Sequence, residues 1–320
     1  MKKKFLIIQT AFIGDVILAT PIINNLYNCG IPIEIDVLVK KENASVLKNH
    51  KQINALFTLD KSSKLRSSFN LIRQFRKNKY DVVINLHRFA SSGIITACSG
   101  ASTKIGFDKN PLSMFYNKKY QHRIGDGTHE VDRNLQLIKD WVKTPDRMPN
   151  LELNGKDTDQ VHEFQDIPYI CLAPASVWAT KEAPESVWIK TINEAPVSIN
   201  RFYLLGAPGD FEKCENIKVA IKNKEVINLC GKLNLRSSAS LMASAAMNYV
   251  NDSAPLHLAS SVNAPVRAFF CSTSPTFGFG PLSTDSEIIE VTNLECKPCG
   301  LHGHKACPKG HFKCGENLLV

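Results

Sequence analysis

Asp252-Ser253-Ala254-Pro255-Leu256-His257-Leu258-Ala259 follows the run Met247-Asn248-Tyr249-Val250-Asn251 and opens a second apolar stretch. The first run reads as a buried strand. The second reads as a helix entered through Asp252 or Ser253, whose side-chain oxygens accept from the free N–H groups of a first turn. Pro255 suits that turn because its missing N–H has no helical partner there. A helix starting at the carboxyl end of a strand presents free N–H groups and a partial positive charge, which together hold a phosphate. This order of elements indicates an α/β fold with a nucleotide-diphosphate site in the second half of the chain. An ordinary capped helix would carry the same residues, so a second signal is needed.

Gly14-Asp15-Val16-Ile17-Leu18-Ala19-Thr20-Pro21 supplies it. This stretch follows the apolar strand Phe5-Leu6-Ile7-Ile8, so Asp15 sits where a strand hands over to a helix expected over residues 15–27. Open α/β sheets place their chemistry there. A single Asp in that position is also a common helix cap. Strand-like runs recur at 33–39 and 80–86, then at 169–172, 201–205, 225–229, 248–250 and 266–271. Between 67 and 77, Phe69, Ile72 and Phe75 recur at spacing 3 beside Arg73, Arg76 and Lys77, which reads as a basic amphipathic helix. Residues 144–159 are rich in Pro, Asn, Asp and Gly and read as a linker. The expected architecture is two Rossmann-like domains, 1–150 and 151–320, facing a cleft.

The chain has 320 residues, 43% hydrophobic and 22% charged, enough for two ordinary cores and unlike a disordered segment. Its net charge is +9, and the first 80 residues hold 14 Lys and Arg against 5 Asp and Glu. The whole excess therefore lies in the N-terminal quarter. That asymmetry indicates an anionic partner, whether glycolipid, membrane surface or nucleic acid, or else a solvated basic face. Lys2-Lys3-Lys4 before an apolar run is reminiscent of a signal peptide, but Gln9 and Asp15 interrupt the run and Pro21 ends it without a cleavage site. The expectation is a cytoplasmic, peripheral protein. No Gly-x-Gly-x-x-Gly follows the first strand and no Walker-type loop occurs, which argues against a nicotinamide dehydrogenase or a P-loop enzyme. No nucleic-acid motif is recognised.

Taken in order, Gly14-Asp15 with Thr20-Pro21, Lys104-Ile105-Gly106-Phe107, Thr180-Lys181 with Pro184, Asn228-Leu229-Cys230-Gly231, and Asp252-Ser253 with His257-Leu258-Ala259 resemble glycosyltransferase family 9, the ADP-heptose:lipopolysaccharide heptosyltransferases. The resemblance runs from residue 5 to about 281. It implies a GT-B architecture, with the acceptor on the first domain and the nucleotide-sugar on the second. It also implies inverting transfer of heptose from ADP-heptose to the lipopolysaccharide inner core at the cytoplasmic face of the inner membrane, with no catalytic metal. Asp15 falls on the family's proposed base and Lys181, beside Thr180, on a donor contact. Asp252 would hold sugar hydroxyls or orient the loop, and Ser253 with the N–H groups of Ala254, Leu256 and His257 would face the diphosphate. His257 fits equally as a residue packed on the sheet. Two positions depart from the family pattern: Ala254 stands where Gly is usual, and Ala183 where an aromatic residue commonly precedes Pro184. Other readings are a different nucleotide-sugar donor, an inactive transferase-like protein, or a non-catalytic basic α/β binding protein.

Gly206 and Asp210, in Gly206-Ala207-Pro208-Gly209-Asp210 after a strand, could approach the nucleoside. Candidate acceptor contacts are Lys61, Lys64, Arg66, Arg73 and Arg76, then His87, Arg88 and Ser91 after the strand ending at Leu86. His129 and Arg133, four apart, would share one helix face. Cys296, Cys299, Cys307 and Cys314 cluster with His302, His304 and His311, a pattern that fits a structural zinc site, a disulfide pair or free thiols. The six other cysteines read as reduced core residues.

Overall fold

A computed structural model describes residues 2–319. The chain divides into two compact units, Met1–Ile124 with Glu130–Glu152, and Gly125–His129 with Leu153–Val320. The main crossing lies at Glu152, beside the expected residue 150. The short segment Gly125–His129 folds with the second unit instead of the first. There, Gly127 N–H donates to Thr276 O at 3.2 Å, and His129 Nε2 lies 3.1 Å from Gly280 O.

The first unit carries a parallel sheet of β1 (Lys3–Gln9), β2 (Ile33–Lys40), β3 (Ala55–Leu59), β4 (Val82–Asn85), β5 (Thr103–Phe107) and β6 (Lys118–Tyr120), in the order β3-β2-β1-β4-β5-β6. The second carries β7 (Tyr169–Ala173), β8 (Arg201–Leu204), β9 (Glu225–Asn228), β10 (Met247–Asn251), β11 (Val266–Phe270) and β12 (Ser286–Glu290), in the order β12-β11-β10-β7-β8-β9. Counted from its own first strand, each sheet has the same order. The chain winds outward from the centre, returns, and winds outward the other way. The winding reverses between β1 and β4 in one unit and between β7 and β10 in the other, and ligands bind at such reversals in open α/β sheets.

Helices α1 (Ile13–Ile17), α2 (Thr20–Tyr27), α3 (Lys64–Asn78), α4 (Ala90–Cys98) and α5 (Glu130–Leu135) belong to the first unit. Helices α6 (Gly155–Asp159), α7 (Glu185–Asn193), α8 (Phe211–Ala220), α9 (Leu235–Ala243), α10 (Ala254–Ser261) and α11 (Lys313–Glu316) belong to the second. Phe5, Leu6, Ile7 and Ile8 are fully buried, as a central parallel strand covered on both faces requires. The helix expected over 15–27 is broken at Leu18–Ala19. Pro21 has no N–H to give the Ile17 carbonyl, and the Thr20 hydroxyl takes that carbonyl at 2.7 Å. In α3 the buried residues are Leu71 and Phe75, whereas Phe69 is 68% exposed. Spacing of 3 on a 3.6-residue turn loses about 60° per step, so Phe69 and Phe75 face different ways.

The second core is built around Trp188 of α7, fully buried and edge-on to Phe269 at 5.0 Å. Burying side chains of this size stabilises a fold by roughly 1.5–3 kcal/mol each. The Trp188 Nε1–H donates to Ala183 O at 3.0 Å, which fixes the turn before α7. The expected linker ends inside the fold: Asn154 caps α6, and Asp157 accepts from buried Arg236 at 2.8 Å. Among the described residues no helix is long and apolar enough to cross a membrane.

Candidate active site

In the first unit, Asp15 follows β1 and His87 follows β4, so the two flank the reversal point. Asp15 occupies the first turn of α1, and its Oδ2 accepts the Phe12 N–H at 3.0 Å. Desolvation by the surrounding protein, then the charge of Glu130, raise its pKa to about 6. The Phe12 N–H and Arg88 oppose that rise without cancelling it. A carboxylate in this state is a better proton acceptor than one in water, yet it is largely ionised at neutral pH. Glu130 is held by His122 and Arg133, with Arg133 Nε at 2.8 Å and His122 Nε2 at 3.1 Å from Oε2. Burial raises Glu130, but His122 and Arg133 outweigh that and hold it below the usual carboxylate range. Glu130 therefore stays negative near Asp15.

Positive charge gathers around the same site. Buried Lys40, at the end of β2, lies over the Phe12 ring at 4.8 Å, and burial followed by Lys61 lowers its pKa to about 8. His87 Nδ1 meets the Thr10 hydroxyl at 2.9 Å. Burial, then Lys40, Arg88, Lys61 and Lys64, push His87 down to about 4, so it is neutral at pH 7. Lys61, Lys64, Arg66 and Arg73 are exposed.

In the second unit, the loop Pro174–Lys181 follows β7 and Asp252–His257 follows β10, again flanking the reversal. Lys181 Nζ lies 2.6 Å from Asp252 Oδ2, and the Thr273 hydroxyl donates to the same oxygen at 2.6 Å. Asn251 ties the loops together, donating to Pro174 O at 2.8 Å and accepting the Ala183 N–H at 2.9 Å. Asp252, Thr180 and His257 are buried. His257 projects from α10, its Nδ1 has no hydrogen-bond partner, and burial first of all lowers its pKa to about 3. A neutral imidazole with an unmet polar atom thus stands beside a lysine–carboxylate pair, Asp252 buried and Lys181 half-buried, at a helix start.

Comparison with known proteins then decides the family. The model of glycosyltransferase family 9 (heptosyltransferase) matches residues 68–309. The chain belongs to this family. It is 27% identical over 281 residues to lipopolysaccharide heptosyltransferase 3 of Escherichia coli, covering 83% of each chain. Among solved structures, E. coli ADP-heptose LPS heptosyltransferase II superposes with a TM-score of 0.78 at 20% identity, covering 93% of this chain and 96% of that one. E. coli heptosyltransferase WaaC with ADP gives 0.72 at 20% identity, covering 89% and 92%. The family 9 fold is therefore the fold of this chain, and the protein is a glycosyltransferase.

Several residues expected at the site have other roles in this family 9 chain. Arg133 is 1% exposed and ion-paired to Glu130, so it is not an acceptor contact. His129 precedes α5 and folds with the second unit, so the two do not share a helix face. Asp210 caps its own turn by accepting the Ala207 N–H at 2.8 Å, and Gly206 packs closely against Asp210 and Cys230. The Leu256 N–H already donates to Ser253 O at 3.1 Å, which removes it from the phosphate donors. The Ser253 side chain makes no cap bond and reaches Asn251 O at 3.4 Å. Ala254 begins α10, so a methyl group there meets no conformational penalty.

The expected zinc set is not assembled. Among the described residues no group of three or more His, Cys, Asp or Glu is arranged to hold a metal ion. Cys296, Cys299 and Cys307 each meet a polar group within the tail, and Cys314 is buried. Cys299 Sγ–H donates to Cys296 O at 3.1 Å, and Cys296 Sγ lies 3.9 Å from His311 Nε2. Cys307 is lowered by backbone N–H groups, chiefly that of Phe312, and Cys314 is raised to about 11 by burial. All ten cysteines are free thiols. Lys40, Asn251 and Thr273 escaped the sequence reading. Lys40 ends a strand among apolar residues and carries no motif. Asn251 and Thr273 act through loops distant in sequence.

Proposed function

We propose that this enzyme moves heptose from ADP-heptose to the inner core of lipopolysaccharide with inversion at the anomeric carbon. The observation that carries the reading is the repeated placement of reactive groups at the reversal point of each sheet: Asp15 in the first unit, and Lys181 with Asp252 and His257 in the second. Asp15 takes the proton of an acceptor hydroxyl while that oxygen attacks the anomeric carbon. The bond from that carbon to the β-phosphate oxygen breaks, and ADP leaves with the electron pair. Lys181 and the start of α10 stabilise the negative charge that develops on the leaving diphosphate. Neutral His257 offers Nδ1 to the donor. Asp252 orients Lys181 and the sugar. The match to lipopolysaccharide heptosyltransferases and the ADP in the WaaC complex support this choice of donor and acceptor.

Exposed Lys61, Lys64, Arg66 and Arg73, with Arg88, suit the phosphates and acidic sugars of a glycolipid core. The same basic face suits peripheral attachment to the cytoplasmic side of the inner membrane. The deciding experiment measures ADP release from ADP-heptose with a truncated lipopolysaccharide core, in wild type and Asp15→Asn. Acceptor-dependent release that disappears in the variant supports the reading. Release that survives in Asp15→Asn removes Asp15 as the base, and absence of both binding and release removes ADP-heptose as the donor.

A further inference from the structure

The C-terminal tail is sewn directly onto the turn that carries Lys181. The Thr180 N–H donates to His304 O at 3.1 Å, and the His304 N–H returns to Thr180 Oγ1 at 2.8 Å. Thr180 Oγ1 also meets Ser272 Oγ at 3.0 Å, while the Ser272 N–H reaches Thr180 O at 3.3 Å. The Cys299 N–H closes the loop on Ser272 O at 2.9 Å. Next along the chain, Thr273 holds Asp252, the partner of Lys181. Gly303 is buried between these groups. A Cβ added there would stand 2.6 Å from Trp178 Cβ, 2.8 Å from Lys181 Cγ and 3.1 Å from Thr180 Oγ1. Carbon atoms pack at about 3.5–4.0 Å, so only a residue without a side chain lets the tail lie this close to the lysine stem.

We propose that Cys299, Gly303 and His304 form a positioning element of the donor site, with His304 fixing the Thr180 turn and Gly303 setting the course of the Lys181 side chain. The inference rests on the reading that Lys181 meets the donor diphosphate. It assigns the tail a part in donor binding beyond stabilising the fold. A buried turn held only by its own short loop would leave a long lysine free to sample several rotamers. The tail restricts that freedom before the ligand arrives, which lowers the cost of ordering on binding. Coupling of this kind is reciprocal: if the tail favours ADP, bound ADP must steady the tail.

The test uses the full chain and ADP as the probe. Calorimetric titration compares wild type, Gly303→Ala, Leu301→Ala and Lys181→Ala, with a thermal melt of each. Leu301 is on the same segment but exposed, so it serves as the control. The expected result is about tenfold weaker ADP binding in Gly303→Ala, in protein that still melts cooperatively though at a lower temperature, and wild-type binding and melting in Leu301→Ala. Hydrogen exchange on wild type is the second arm and needs no variant to fold. ADP should slow exchange of the His304 amide. Wild-type affinity in Gly303→Ala, or a His304 amide indifferent to ADP, overturns the tail's role and leaves the donor site standing. Wild-type affinity in Lys181→Ala overturns both.

Discussion

Asp15, the residue proposed as the base, makes a pH-dependent contribution to stability. Its pKa is raised from 3.8 to about 6, so the folded state holds the proton more tightly than the unfolded chain. That contribution to stability is fully present below about pH 3.8 and is lost as pH rises through about 6. At pH 7 the buried charge is therefore a net cost. Asp15→Asn keeps an oxygen for the Phe12 N–H and should stabilise the protein by about 1–2 kcal/mol, after allowance for partial exposure. The same change should abolish turnover. Denaturant unfolding at neutral pH checks the first, and a pH profile of kcat/KM checks the second, with activity rising through about pH 6. A profile flat across that range would remove Asp15 as the titrating base. Lys181 and Asp252 make a second residue-scale case. Removing Lys181 leaves the buried Asp252 carboxylate without its cation, so Lys181→Met should cost about 2–3 kcal/mol. Adding Asp252→Asn should recover most of that stability without restoring ADP binding, a result that a double-mutant cycle resolves. If the double variant is as unstable as the single one, the pair is not the source of the loss. The placement of Asp15, Lys181 and Asp252 just beyond strand ends was legible in the sequence because each sits in a short motif there. Arg133 was misread because spacing alone does not reveal which side of a helix faces a buried carboxylate.

Among the elements, α3 carries the clearest exposed apolar surface, set within the basic face. Its buried face is Leu71 and Phe75, which leaves Leu65 at 89% and Phe69 at 68% exposure beside Lys64, Arg66 and Arg73. Large apolar side chains next to cations suit an anionic lipid surface, where the ring enters the interface and the cations meet headgroups. Phe69→Ser should lower binding to vesicles containing anionic lipid about tenfold and leave the melting temperature within about a degree, because the ring supports no core. Co-sedimentation measures this. Equal binding of the variant, or equal binding to neutral vesicles, would assign the face to solvent. Central strands such as β1 and β7 were plain in the sequence because burial on both faces demands an unbroken apolar run. The strands β3, β6 and β12 were not, since they lie at sheet edges and mix polar residues into short stretches, as Lys118-Lys119-Tyr120 does. β5 was seen only as the Lys104–Phe107 motif, with Gly106 masking its strand character. Tyr116 and the Asn85 carbonyl pack where a Gly106 side chain would stand, a constraint visible only in three dimensions.

For the molecule as a whole, charge and reaction are divided between the units. The excess of Lys and Arg over Asp and Glu lies in residues 1–80, all in the first unit, whereas Lys181, the lysine proposed to meet the donor, is already paired with Asp252. Salt screens exposed charges strongly and buried pairs weakly, with a Debye length of about 10 Å at 0.1 M. The two substrates should therefore respond differently to ionic strength. Raising salt from about 0.05 M to about 0.5 M should increase KM for an anionic lipopolysaccharide acceptor by about tenfold or more, while the Kd for ADP rises only about twofold to threefold. Initial rates at saturating donor, paired with ADP titrations across the same salt series, supply both numbers. Replacing Lys61, Lys64 and Arg66 together with Gln should flatten the acceptor response and leave the ADP response unchanged. Equal salt sensitivity of the two ligands would mean that the first-unit charge does not guide the acceptor, and that the basic surface acts through solubility alone.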